Sequence, residues 1–204
     1  MKYNIQYSQG ALSKATSLNI GEGVCLGLCA YFIRKYRSNG LIIDKSFINA
    51  DLYDQEATLE LARHYQTEAE KNNGENLEQF LAELFPGSSR IATDNQLNSC
   101  IGLISVLSQT NSDFILNLQM KNAKIGHAIA VIRDGNGTGD GSYIIFDPNY
   151  GITSASINDL KTTEEKKDSH LAKLMHNGYI GNEKITGCLL YRLPRQHGQP
   201  QQHY

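Results

Sequence analysis

Apolar residues recur at three- and four-residue steps through the first half of the chain, then gather into short runs in the second. From Cys25 to Tyr36 the positions Leu28, Cys29, Phe32 and Tyr36 form one stripe, which predicts a helix. Gly21 and Gly23 break the chain before it, and Asn39-Gly40 stops it. Gln55–Asn72 predicts a second helix, with Leu59, Ala62, Tyr65 and Ala69 on one stripe. Its outer face carries Glu56, Glu60, Arg63, Glu68 and Lys71. Asn76–Phe85 predicts a third, ended by Pro86-Gly87. Asp94–Gln109 is read as a fourth, capped by Thr93 or Asp94, because its length favours a helix over a strand.

From Asp113 the period changes. Phe114–Met120, His127–Arg133 and Tyr143–Asp147 are short, apolar and bounded by Gly, Asn and Asp, as strands of an antiparallel meander are. Asp134–Gly141 reads as a glycine-rich hairpin loop, Thr163–Asn177 as charged and partly helical, and Gly187–Leu193 as a closing strand. Helices first and strands after is the pattern of an α+β domain with segregated layers. The expected division is a loosely structured segment at 1–20, one domain at 21–193 and a polar, frayed tail at 194–204.

Bulk properties narrow the function. With 204 residues, 40% hydrophobic and 20% charged, the chain suits one ordinary globular domain. A net charge of −2 argues against a nucleic-acid or membrane-surface binder. The longest apolar runs, Gly102–Leu107 and Ala128–Ile132, fall far short of the roughly 20 residues of a membrane span. The polar start, Met1–Gly21, has no Sec-type signal pattern. The four cysteines Cys25, Cys29, Cys100 and Cys188 are irregularly spaced, so free thiols are expected rather than a disulfide frame or a metal site.

One constellation carries chemistry. Cys25 opens a helix, where the dipole favours a thiolate, and backbone N–H groups there could help hold an oxyanion. His127 opens a strand in Gly126-His127-Ala128-Ile129-Ala130-Val131, with Gly126 leaving space beside the imidazole. Phe146-Asp147-Pro148-Asn149-Tyr150-Gly151 ends the next strand, and the hairpin folds Asp147 toward His127. An acid accepting the Nδ1 proton would hold the reactive tautomer and stabilise the imidazolium. The expected roles are Cys25 as nucleophile, His127 as general base and Asp147 as orienting acid.

These three blocks, with Gly23-Val24-Cys25-Leu26-Gly27-Leu28 as the first, resemble the motif blocks of the YopT/AvrPphB family over roughly residues 19–192. That family comprises papain-fold cysteine proteases that bacterial pathogens deliver into host cells. The resemblance implies a papain-like fold, with the N-terminal helical part packed on a small antiparallel sheet. It implies a Cys25-His127-Asp147 triad that cuts a specific host protein through an acyl-enzyme, with no metal or organic cofactor. It also implies export by a dedicated bacterial secretion system without a Sec signal and action in the host cytoplasm; the oligomeric state is open, with a monomer favoured. Phe32 stands where relatives often carry a Trp, and papain-like enzymes place an oxyanion amide before the nucleophile, a place that Asn19 fits.

Other readings compete. Glutamine deamidation or transglutamination would use the same triad, and a non-catalytic interaction protein could keep the same fold. Cys25 alone could be a buried structural cysteine. Cys29, one turn later, is expected in the core and is the fallback nucleophile, while Cys100 and Cys188 are expected as packing residues. His64, His170, His176, His197 and His203 are expected to face solvent, as is the charge run Glu164–Asp168. Asp147 could simply start a turn, and Asn149 is a spare polar partner. Asp134–Asp140 partly matches a calcium loop, but Ile145 stands where the closing acid would be, so a hairpin is the preferred reading.

Overall fold

A computed structural model describes residues 4–5, 24–38, 56–71, 77–91, 100, 103–104, 107, 111–121, 126–134, 142–156, 179–180 and 183–195. Three helices are α1 (Cys25–Ser38), α2 (Glu56–Glu70) and α3 (Leu77–Leu84). The strands are β1 (Asn4–Ile5), β2 (Ser89–Ile91), β3 (Ser112–Met120), β4 (His127–Arg133), β5 (Ser142–Asp147), β6 (Gly151–Ser156), β7 (Tyr179–Ile180) and β8 (Glu183–Pro194). They form an antiparallel sheet in the order β1-β6-β5-β4-β3-β8-β2, with β7 paired to the start of β8. The α+β architecture expected from the sequence is the one the chain has.

The sheet is larger than expected. Strands β1, β2 and β6 were not anticipated, because each is short or mixes Ser, Thr and Gly with few apolar residues. Their pairing is supplied by neighbours: β6 by β5 and β1 by β6. Residues 4–5, expected in a loose segment, are thus part of the sheet. In the region read as a fourth helix, Cys100, Leu103 and Ile104 are α-helical, Leu107 is in a 3-10 turn, and the rest of 94–109 lies outside the described residues. So do 163–177 and the glycines of 135–141; Asp134 closes the β4–β5 hairpin by donating its N–H to the Ser142 carbonyl at 2.9 Å.

Alternation along the strands divides the core in two. Ile115, Ala128, Ala130, Ile132, Ile144, Phe146 and Ile152 face the helices. Phe114, Leu116, Ile129, Val131, Tyr143, Ile145 and Leu190 pack on the other side with Cys100 and Ile104. Both faces of the sheet are therefore covered, which explains why β4 is buried at every position.

Helix α1 is the centre of the first core. Leu28, Cys29, Ala30, Phe32 and Ile33 are fully buried, and Phe32 stacks on Phe146 of β5 with ring centroids 4.4 Å apart. It crosses α2 at Gly27, where a Cβ would sit 1.8 Å from the Ala62 carbonyl oxygen. At its other end Arg37 donates to Asp113 at 2.8 Å and to the Leu193 carbonyl at 2.7 Å. Arg195 also donates to Asp113 at 2.6 Å, and so does the Arg133 backbone N–H at 3.0 Å. Arg195, expected in a frayed tail, is instead anchored by this fully buried carboxylate.

Two substitutions test this packing. Gly27→Ala should lower folding stability by at least about 2 kcal/mol in urea denaturation, because backbone must move to admit the methyl. Asp113→Ala should cost about 3–5 kcal/mol by leaving two arginines without their buried carboxylate.

Candidate active site

Cys25 is the first residue of α1, and the Leu28 N–H bonds to the Val24 carbonyl at 2.8 Å, so Val24 stands at the cap. Valine has no side-chain acceptor for the next orphan donors. Gln66, buried on α2, supplies one: its Oε1 accepts the N–H groups of Leu26 at 3.1 Å and Gly27 at 3.2 Å. Its Nε2 donates to Glu70. Two of the backbone donors expected to help an oxyanion are therefore already engaged.

His127 is the first residue of β4 and Asp147 the last of β5. The antiparallel register, Ala130 opposite Phe146, brings the start of one strand beside the end of the other. Asp147 is 1% exposed and His127 5%. His127 Nδ1 lies 3.1 Å from the Cys25 sulfur, and Nε2 lies 2.9 Å from Asp147 Oδ1. The structure thus brings together the three side chains singled out in the sequence. It reverses the expected use of the ring: Nε2–H donates to the acid and Nδ1 faces sulfur. The reason is placement, since the outer nitrogen is the one that reaches the carboxylate on the neighbouring strand.

A tight turn aims that carboxylate. Asp147 Oδ1 accepts the Asn149 N–H at 2.8 Å, and the Asp147 carbonyl accepts the Tyr150 N–H at 3.1 Å. Gly151 closes the turn at φ 112°, a conformation that favours glycine. Asn149 and Tyr150 are exposed beside it, and Asn149 Nδ2 lies 3.5 Å from His127 Nδ1.

Burial pulls the His127 imidazolium toward the neutral form. The Asp147 hydrogen bond, then the hydrogen bond and charge of Cys25 and the charge of Asp147, outweigh it and raise the pKa from 6.5 to about 10. The ring is therefore protonated at neutral pH. Cys29 is fully buried, and burial, followed by the charges of Cys25 and Asp147, pushes its thiol well above the ordinary value. It stays a thiol in the core, which removes it as a fallback nucleophile.

A Cβ at Gly126 would lie 2.3 Å from the Leu118 carbonyl oxygen, so the glycine permits close approach to β3. Asn19, Gly21 and Gly23 lie outside the described residues, as do His170, His176, His197 and His203. His64 faces solvent, and Cys100 and Cys188 are buried packing residues, as read. Sequence reasoning missed Gln66 and Gly27. A signal for Gln66 existed: it falls four residues after Ala62 and three before Ala69, a polar residue on the buried stripe of α2. Among the described residues no group of three His, Cys, Asp or Glu side chains could hold a metal ion.

No protein-family model and no curated protein sequence matches this chain. Among solved structures it is similar to the crystal structure of the Pseudomonas avirulence protein AvrPphB, with a TM-score of 0.56 and 17% sequence identity. The match covers 83% of this chain and 90% of that one. At that identity the likeness shows a shared fold.

The site geometry makes a pH prediction. Folded His127 keeps its proton to about pH 10, whereas an unfolded histidine releases it near 6.5. Its stabilising contribution is thus complete below about pH 6.5 and lost as pH rises toward about 10. NMR titration of the ring should find it still protonated at about pH 8, and Asp147→Asn should lower the midpoint.

Proposed function

We propose that this chain is a cysteine-type hydrolase, most specifically a protease of the YopT/AvrPphB kind, using Cys25, His127 and Asp147 as its triad. The single observation that carries the reading is the continuous chain from sulfur to Nδ1 at 3.1 Å and from Nε2 to carboxylate at 2.9 Å. These are hydrogen-bond distances between a nucleophile, a proton carrier and an orienting acid.

The proposed cycle follows from which group holds the proton. Cys25 thiolate, at a helix N-terminus and facing an imidazolium, attacks the carbonyl carbon of an amide. A carbon–sulfur bond forms, and the carbon–nitrogen bond breaks as the leaving amine takes the proton from His127 Nδ1. Thioester formation removes the charge on sulfur, one of the contributions that held His127 protonated. Neutral Nδ1 then takes a proton from water, which attacks the thioester. The carbon–sulfur bond breaks, the acid product leaves and the thiolate–imidazolium pair returns. His127 thus acts first as an acid and only afterwards as the base. Asp147 holds Nε2–H throughout.

The shared fold with an avirulence protein and the resemblance of the motif blocks support a bacterial effector exported by a dedicated system. Its substrate would be a protein of the host cytoplasm. Among the described residues no helix is long and apolar enough to cross a membrane.

Two measurements test this. Iodoacetamide at neutral pH should modify Cys25 well ahead of Cys29, Cys100 and Cys188; a Cys25 rate equal to that of glutathione would argue for an interaction protein instead. In eukaryotic cell lysate the wild-type chain should create new protein N-termini that Cys25→Ala lowers by about 1,000-fold or more. A mass gain of about one dalton at a glutamine, without a chain break, would instead mark a deamidase, and a glutamine joined to an amine a transglutaminase.

A further inference from the structure

We infer that Gln66 is a positioning residue for the Cys25 thiol, acting through the N-terminus of α1; the inference rests on the acyl-transfer reading above. The side-chain oxygen of Gln66 spans two helices, accepting from Leu26 and Gly27, 40 and 39 residues away in sequence. It can do so because Gly27 lets α1 approach Ala62, one turn before Gln66 on α2. The bond from its Nε2 to Glu70 fixes the amide orientation, oxygen toward α1 and nitrogen away from it.

The chemistry of this cap suits a thiolate at the helix start. Acidic side chains are the usual electrostatic complement to a helix N-terminus. Here a carboxylate would set a negative charge within the same turn as the sulfur that must ionise. An amide oxygen satisfies two donors without adding that charge. The acid that belongs to the pair, Glu70, is exposed and held on the far side of the amide. The cap also ties the first turn of α1 to α2, so the sulfur keeps its 3.1 Å separation from His127 Nδ1.

The full-length chain provides the test. The double variant Gln66→Glu/Glu70→Gln keeps an acceptor for Leu26 and Gly27 and a donor for that acceptor, while moving one negative charge to the helix end. Its Cys25 alkylation by iodoacetamide at pH 7 should slow about five- to tenfold, with the pH–rate profile displaced to higher pH. Gln66→Met, which keeps length but adds no charge and loses the acceptor, should also displace the profile to higher pH, because the untied first turn no longer holds the sulfur at 3.1 Å from His127 Nδ1. Thermal unfolding identifies which variants fold; a folded variant with the wild-type profile overturns the inference, because a purely structural cap would change stability alone.

Amide hydrogen exchange of the unaltered protein adds a measurement independent of variant folding. Leu26 and Gly27 occupy helix positions that have no intrahelical acceptor. Their amides should exchange about 100-fold or more slower than in an unfolded peptide, and exchange within about tenfold of that rate overturns the inference. A wild-type Cys25 that alkylates no faster than glutathione sinks the acyl-transfer reading alone, since the displaced profile and the amide protection still decide the role of Gln66.

Discussion

Helix α1 must lie on the sheet at one depth and one rotation, and most of the molecule serves that requirement. Its apolar face is buried against β4 and β5, with Phe32 stacked on Phe146. Its crossing with α2 is so close that only glycine fits at position 27. Polar contacts tie both ends: Gln66 at the first turn and Asp113 at the last. A rigid core transmits such constraints without slack. Cys25, the first residue of the helix, therefore meets His127, the first residue of its strand, at hydrogen-bond distance.

The buried charges follow the same logic. Asp113 and Asp147 are both almost inaccessible, and each is met by several donors. Asp113 receives two guanidinium groups and a backbone N–H, and it joins α1, β3 and the end of β8. Asp147 receives one imidazole N–H and the backbone N–H of its own turn. The first set is rich in permanent positive charge and binds elements together. The second contains a group that can gain and lose a proton, which is what acyl transfer requires. A carboxylate left without such partners in either place would be costly.

Covering the sheet on both faces has a consequence for the site. Strand β4 has no solvent-facing side to flex toward, and its first residue inherits that rigidity. At the β5–β6 turn, Asn149 and Tyr150 are exposed beside a buried His127 and Asp147.

Much of this was legible in the chain itself. Apolar period marked all three helices and the central strands, because those elements bury one stripe or both faces and leave a periodic trace. Cys25, His127 and Asp147 stood out because each sits at an element boundary within a distinctive motif. Strands β1, β2 and β6 left no such trace, since their pairing is provided by partners distant in sequence rather than by their own composition. The roles of Gly27, Gly126, Gln66 and Arg195 were hidden for a related reason: each depends on an atom from another element, a carbonyl, an N–H or a buried carboxylate. The direction of the imidazole was likewise undetermined by sequence. Which residues are candidates for chemistry is read locally, from residue type and motif; which nitrogen faces the sulfur, and what caps the helix that bears it, is decided only when the elements pack.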